Sequence, residues 1–444
     1  MKNGLALQCR AAVANRKRLR AEMPDDVIAL VGADEVRRNS DVMHPFRQRS
    51  NFLWLTGYES PGARLIVHPG GEVLFIPRVD RQHLVWVGTA PTPKSARTDY
   101  GFRTVRYVDE FEKELAALAG KHERVHTLDD TKPAIKKLVG SARCETRRLR
   151  EALTALRVIK TPHEVELIRY AGAVTSEAHA ALMAGARPGM HEYQAYAIFE
   201  QVVLDHGMCD AYPPIVGSAA NAAVIHYGAL DRKMRSGDFV LVDAAAECHG
   251  YASDVTRTFP LGGRFSAFQR DCYELVLETQ REALAAIRPG ATTRGVHELV
   301  SARLAEGLLE MRVLKGSLDE IRARGTVSLF LPHGLIHQIG LDVHDVSPRP
   351  KGVTRGRAKA SAALPFKPGM TMAVEAACYF VAPLLKDTGL RREHRATVNW
   401  PLVDKRLDFG GVRTEDNVLV TEDGCEVITD APKTVAEVEG VAGG

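Results

Sequence analysis

Phe239-Val240-Leu241-Val242-Asp243 and, beyond the turn Glu247-Cys248-His249-Gly250, Tyr251-Ala252-Ser253-Asp254-Val255-Thr256-Arg257-Thr258-Phe259 read as two apolar strands that each carry one aspartate. Two carboxylates facing one pocket repel, and a buried, unpaired carboxylate is costly or takes up a proton. A positive group must therefore lie between them. Working outward, the chain offers three more candidates in similar apolar settings: His337, Glu375 and Glu415. Four carboxylates and one imidazole make a hard, oxygen-rich donor set whose charge balances two divalent cations.

At 444 residues the chain exceeds one typical core, so two domains are expected. With 45% hydrophobic and 26% charged residues it has the composition of an ordinary soluble globular protein. The formal net charge of +4 is small, and no basic block with interleaved aromatics occurs, which argues against a nucleic-acid partner. Its cysteines, 7 in all, are scattered and lack CxxC spacing, as expected of reduced thiols in a cytoplasmic protein. The basic N-terminus lacks the apolar run of a secretory signal, and no apolar stretch approaches the roughly 20 residues of a membrane span.

Residues 1–158 alternate strand and helix patterns and are expected to form an α/β N-terminal domain. Val27–Val31 reads as a buried strand, and Ala63–Val67 and Glu72–Ile76 as a hairpin around His68-Pro69-Gly70-Gly71. A helical stretch from Val108 to Leu118 stops at Gly120. Residues 159–444 open on Thr161-Pro162-His163-Glu164, a capping box with proline at the first helical position. The order helix, Arg-Pro-Gly (187–189), helix, strands then recurs about 100 residues later around Arg288-Pro289-Gly290. Such a repeat implies two pseudo-symmetric αβ halves, with ligands drawn from both.

In Gly410–Val420, Arg413 and Glu415 share one strand face, and their apolar neighbours point to burial rather than to a surface ion pair. Glu375 sits in the apolar run Met370–Val374. Each acid alone would more often be structural, but four buried acids outnumber the nearby cations. Leu331–Asp345 holds His333, His337 and His344 beside Gly334 and Gly340, a setting in which backbone can approach a ligand. His226 reads as the end of an apolar strand, Ala223–Tyr227. HExxH and GxSxG spacings are both absent, which disfavours a histidine-rich zinc hydrolase and a serine nucleophile.

Several ordered blocks carry a family resemblance: Val242-Asp243-Ala244, Ser253–Pro260, Pro332–His337, Asp342–Asp345, Val374-Glu375, Val412–Asp416 and, more loosely, Asn51–Gly57. Together they resemble the pita-bread metallopeptidases, in particular the Xaa-Pro peptidases prolidase and aminopeptidase P. The resemblance implies an α+β pita-bread (creatinase/aminopeptidase-like) catalytic domain after the α/β domain. It also implies hydrolysis of bonds preceding proline by a hydroxide held on a dinuclear centre. Asp243, Asp254, His337, Glu375 and Glu415 would bind two divalent ions, manganese first, with zinc and cobalt as alternatives. His226, His333 and His344 would contact substrate and stabilise developing charge, Glu375 would also move a proton, and Tyr212 and Arg413 would bind substrate. Small proline-containing peptides are the expected partners, and a homodimer the expected assembly. Xaa-Pro dipeptidase is the leading expectation; the alternatives are aminopeptidase P activity on longer peptides and an inactive pita-bread binding module. One departure concerns chain length. Prolidases of this type place an arginine before the turn that precedes the metal glutamate, yet residues 360–366 contain none, the nearest being Arg355 and Arg357. A second is Ala376-Ala377 where the family has Pro-Gly.

Overall fold

A computed structural model describes residues 2–347 and 364–443, which fall into two units, 1–167 and 168–444. Arg355, Arg357 and residues 360–363 lie outside the described residues.

Val27–Val31 is buried along its whole length, as its unbroken apolar run requires, because it lies inside a six-stranded sheet. The order is Thr104–Tyr107, Gly71–Ile76, Arg64–His68, Val27–Val31, Val125–His126, Cys144–Glu145. The expected hairpin forms, with Arg64 opposite Phe75 and His68 opposite Gly71. On one face Phe75 meets Phe111 edge-to-face at 5.2 Å, within a core that includes Leu115 and Ile135. Helix Phe111–Ala119 ends at Gly120 as read from sequence.

The capping box is present: Thr161 N donates to Glu164 Oε2 at 2.7 Å, and Glu164 N to Thr161 Oγ1 at 3.4 Å. Glu164 is nonetheless buried, and its other oxygen accepts from Trp54 Nε1 at 2.8 Å. A residue suited to a helix start thus also satisfies a buried indole, which explains how a carboxylate is tolerated there.

The repeated layout is observed. Helices Pro162–Gly185 and Glu192–Asp205 precede an antiparallel sheet ordered Ile215–Ser218, Phe239–Asp243, Thr256–Pro260. Helices Ala267–Ala286 and Thr293–Glu310 precede an antiparallel sheet ordered Ile336–Gln338, Thr371–Tyr379, Gly411–Val420, Cys425–Val427. The two sheets are tied together through Thr258, whose Oγ1 donates to Arg413 O at 3.0 Å and accepts from Arg413 N at 3.1 Å. Arg257 Nη1 adds a bond to Glu415 O at 2.6 Å.

Two local expectations are corrected. Asp254 is not on a strand: the ladder with Phe239–Asp243 starts at Thr256, opposite Asp243. Ala246–Cys248 and Tyr251–Ala252 instead pair with each other, in a small separate sheet with Cys209–Asp210. Nor does His226 end a strand. The strand is Ile215–Ser218, followed by a 3-10 turn at Ala219–Ala223 and an exposed His226. That turn is pressed against Gly410, where a Cβ would fall 2.0 Å from Ala219 O; only glycine permits the approach, and its φ of 83° suits glycine too. No helix among the described residues is long and apolar enough to cross a membrane.

Candidate metal centre

Strand alternation places most of this site. Glu375 and Glu415 lie directly opposite one another on Thr371–Tyr379 and Gly411–Val420, and His337 lies opposite Ala373. On the other sheet, Asp243 ends its strand opposite Thr256, with Asp254 two residues upstream of Thr256. The halves thereby bring together all five residues singled out above. Ligand atoms within 4.8 Å of one another form three groups: Asp243, Asp254 and Glu415; His337, Glu375 and Glu415; and Asp254, His337 and His344. Glu415 is common to the first two, so two cation positions can lie side by side and share it. His337 Nε2 is 3.4 Å from Asp254 Oδ2, 3.8 Å from Glu415 Oε1 and 3.9 Å from Glu375 Oε1.

The electrostatics describe a crowded acid cluster. Burial, then Glu415, pushes Asp254 up to about 7. Asp243 is raised by burial against the opposing pull of Arg413, and Glu375 is raised well above the usual carboxylate range by burial and Glu415. Glu415 itself resists its burial and stays low, because the His337 imidazole and the Arg413 guanidinium lie beside it. His337 is burdened by burial too, yet the nearby Asp254 and Glu415 carboxylates hold its pKa well above the ordinary value. This is a proton-sharing cluster whose repulsion a divalent cation would relieve. The oxygen-rich donor set with one imidazole fits such ions.

Sequence reasoning missed Asn417, Thr256 and Tyr379 among the residues that hold the cluster in place. Asn417 accepts from Asp254 N at 2.9 Å and from Ser253 Oγ at 3.0 Å, and its Nδ2 donates to Asp254 O at 2.7 Å. Thr256 Oγ1 donates to Glu415 Oε2 at 2.7 Å. Each nitrogen of Arg413 has a protein partner: Nε meets Thr256 Oγ1 at 2.9 Å, Nη1 meets Tyr379 OH at 2.7 Å, and Nη2 meets Asp243 Oδ2 in a short ion pair. The period of two was a usable signal. From Glu415 it reaches Arg413 and Asn417, and from Glu375 it reaches Tyr379.

Tyr212 OH lies 2.6 Å from Asp243 Oδ1 and 2.7 Å from Asp254 Oδ1, so its one proton serves two carboxylates. Tyr379 OH also lies 3.0 Å from His333 Nε2, while His333 Nδ1 is 2.7 Å from Gly334 O. The consistent arrangement has Nδ1 donating to the carbonyl and Nε2 accepting from Tyr379. Burial pushes His333 down to about 4, so this neutral tautomer persists at neutral pH. His333 Nδ1 is 3.4 Å from Glu375 Oε2. His344 is exposed, its ring centroid 4.1 Å from that of His337, and its pKa is lowered by partial desolvation and by the neighbouring His337.

Comparison with known proteins fits this geometry. Residues 166–422 match metallopeptidase family M24, and residues 12–126 match the aminopeptidase P N-terminal domain. The chain belongs to metallopeptidase family M24. It is 34% identical to a Homo sapiens protein named Xaa-Pro dipeptidase, covering 94% of this chain and 89% of that one. Among solved structures, Pseudomonas aeruginosa aminopeptidase PepP superposes with a TM-score of 0.86 at 33% identity, and E. coli aminopeptidase P with the inhibitor Pro-Leu at 0.85 and 30%. Each of these alignments covers 98% of both chains. The α/β N-terminal domain and pita-bread catalytic fold expected from sequence are therefore established, and the M24 protein is a metallopeptidase that works with divalent metal.

Proposed function

We propose that this M24 protein hydrolyses the peptide bond preceding proline in small peptides, with two divalent ions, manganese first, held by Asp243, Asp254, His337, Glu375 and Glu415. The observation that carries the dinuclear reading is Glu415, shared by two adjacent groups of ligand atoms. The name of the Homo sapiens relative, Xaa-Pro dipeptidase, supports the Xaa-Pro substrate.

The bond before proline is a tertiary amide with no N–H for an ordinary peptidase to grip. Bound divalent ions supply Lewis acidity and a nucleophile at neutral pH, which removes the need for that N–H. The chain's own groups then have separable tasks. Arg413 and Tyr212 fix the Asp243 and Asp254 carboxylates, so that substrate binding does not disturb their spacing. Glu375, whose carboxyl is raised by burial and Glu415, can hold a proton and deliver it to the leaving proline nitrogen. His344 and His226 would donate to the developing oxyanion, and His333, held by Tyr379 and Gly334, would shape the wall beside Glu375.

Dipeptidase action is the leading reading. Aminopeptidase action on longer peptides is the second, supported by the absence of arginine from residues 360–366. Seven free cysteines support a reducing, cytoplasmic setting. The exposed run Leu84 to Val87 supports a homodimer, which sedimentation would test. The deciding experiment measures bound metal per chain and turnover of an Xaa-Pro dipeptide before and after chelation. Two ions per chain and activity restored by manganese are expected; near-normal turnover by the stripped protein would refute the proposal.

A further inference from the structure

His179, in the middle of helix Pro162–Gly185, was not singled out by any motif, and the chemistry proposed above leaves it unused. It is fully buried, and its ring packs edge-to-face on Phe199 at 5.3 Å. Its Nε2 lies 3.0 Å from two carbonyl oxygens, those of Ala244 and Val255. Both partners are acceptors, so Nε2 carries the proton and shares it between them. Nδ1 is then an acceptor, and it has no partner among the described residues. A buried unpaired nitrogen is costly, which marks the residue as kept for what its other nitrogen does.

The two carbonyls are not arbitrary. Ala244 follows Asp243 and Val255 follows Asp254. The strand ladder ends at the Asp243–Thr256 pair, and the next link, Ala244 N to Val255 O, is stretched to 3.4 Å. At this weak link of the ladder the His179 N–H reaches across both chains. Thr175, one helical turn earlier, grips the same segment, accepting from Ala246 N at 2.9 Å.

We propose that His179 is a positioning residue that sets the spacing between Asp243 and Asp254 by clamping the backbone behind both, and that it thereby sets the affinity of the centre for divalent cations. The inference rests on the metal-centre reading above. Burial and the nearby Arg257 hold the imidazole at about 3, so the clamp does not open with pH in the neutral range.

The test is calorimetric titration of manganese(II) into chelator-stripped, full-length protein. His179→Gln keeps an N–H donor at the matching position, whereas His179→Leu removes it. Loss of a group that orients ligands typically lowers metal affinity by about 10- to 100-fold, so that loss is expected for the leucine variant, with the glutamine variant within about threefold of wild type. His179→Met, apolar and flexible, repeats the test if the leucine variant does not fold. A role confined to packing predicts equal manganese affinity in all variants, whatever their melting temperatures, and that result would overturn the inference. So would a glutamine variant as weak as the leucine one. Wild-type protein that binds no divalent cation would overturn the metal centre itself, a distinguishable failure.

Discussion

Replacing Asp254 by asparagine should abolish activity in the presence of manganese and, at the same time, make the metal-stripped protein more stable. Asp254 is 4% exposed and its carboxyl is pushed up to about 7, first by burial and then by Glu415. In the unfolded chain the same group titrates near 3.9. A carboxyl whose folded-state pKa is raised costs nothing below the unfolded value; the cost grows as pH climbs past about 4 and is complete above about 7. Roughly three units at 1.36 kcal/mol each make about 4 kcal/mol, an upper bound because Asp243 and Glu415 readjust once the neighbouring charge is gone. Asparagine keeps the shape: its oxygen can still accept from Tyr212, and Asn417 still holds the backbone on both sides.

The assay is thermal unfolding in excess chelator across pH, then in manganese. At pH 8 the chelated variant should melt several degrees above wild type, at about 2 °C per kcal/mol for a domain of this size, and the gap should close near pH 4. Manganese should reverse the order, because only the wild type gains the stabilisation of binding a metal to its folded state. Coincident melting of the two stripped proteins at pH 8 would refute the picture of stored carboxylate repulsion. Stripped wild type with normal turnover would refute the role of the metal.

Arg413→Met should destabilise the fold by about 3–5 kcal/mol, since it strands the buried Asp243 carboxylate, and Arg413→Lys should not rescue it, because one ammonium cannot serve Thr256, Tyr379 and Asp243 together. Urea midpoints equal to wild type would contradict this. His344→Ala should lower kcat by on the order of 100-fold with metal affinity kept; lost metal with unchanged kcat per bound ion would make His344 a ligand, as its grouping with Asp254 and His337 permits. Xaa-Pro-Xaa tripeptides should be cleaved at rates comparable to Xaa-Pro dipeptides, because residues 360–366 supply no arginine for a dipeptide carboxylate. A strong dipeptide preference that survives alanine at both Arg355 and Arg357 would show that another group provides the clamp.

Most of the fold was legible because its signals are local. The capping box at Thr161, the glycine stop at Gly120 and the apolar run Val27–Val31 each act within a few residues, and each appears where read. The five clustered ligand candidates were legible for a related reason: an acid or imidazole embedded in an apolar run of sequence is conspicuous without knowledge of what it faces, even where, as at Asp254, the run is not a strand. What stayed hidden depends on distant partners. His179 is an ordinary helical residue until its carbonyl acceptors, 65 and 76 positions away, are seen. Asn417 gains its meaning only from Asp254, 163 residues upstream. The misreading at His226 has another cause: Ala223–Tyr227 is too short to show a decisive period, and in the structure it follows a 3-10 turn at Ala219–Ala223 without entering a strand.

Strand Gly411–Val420 explains why the site attracts cations while its surroundings do not. Its two faces carry opposite charge balances. On one, Asp416 is matched by Arg257 at 2.6 Å and by Lys433 at 2.8 Å, so that face is fully compensated inside the fold. On the other, among the described residues, Arg413 is the single guanidinium set against Asp243, Asp254, Glu375 and Glu415, a formal excess of three negative charges when His337 is neutral. Two divalent ions would turn that into one positive charge, the right sign to attract a carbonyl oxygen and to stabilise the anion that forms on it. A single divalent ion would leave the cluster negative and opposed to the same step. The charge count on one strand face thus favours two ions over one, independently of the distances between the ligand atoms.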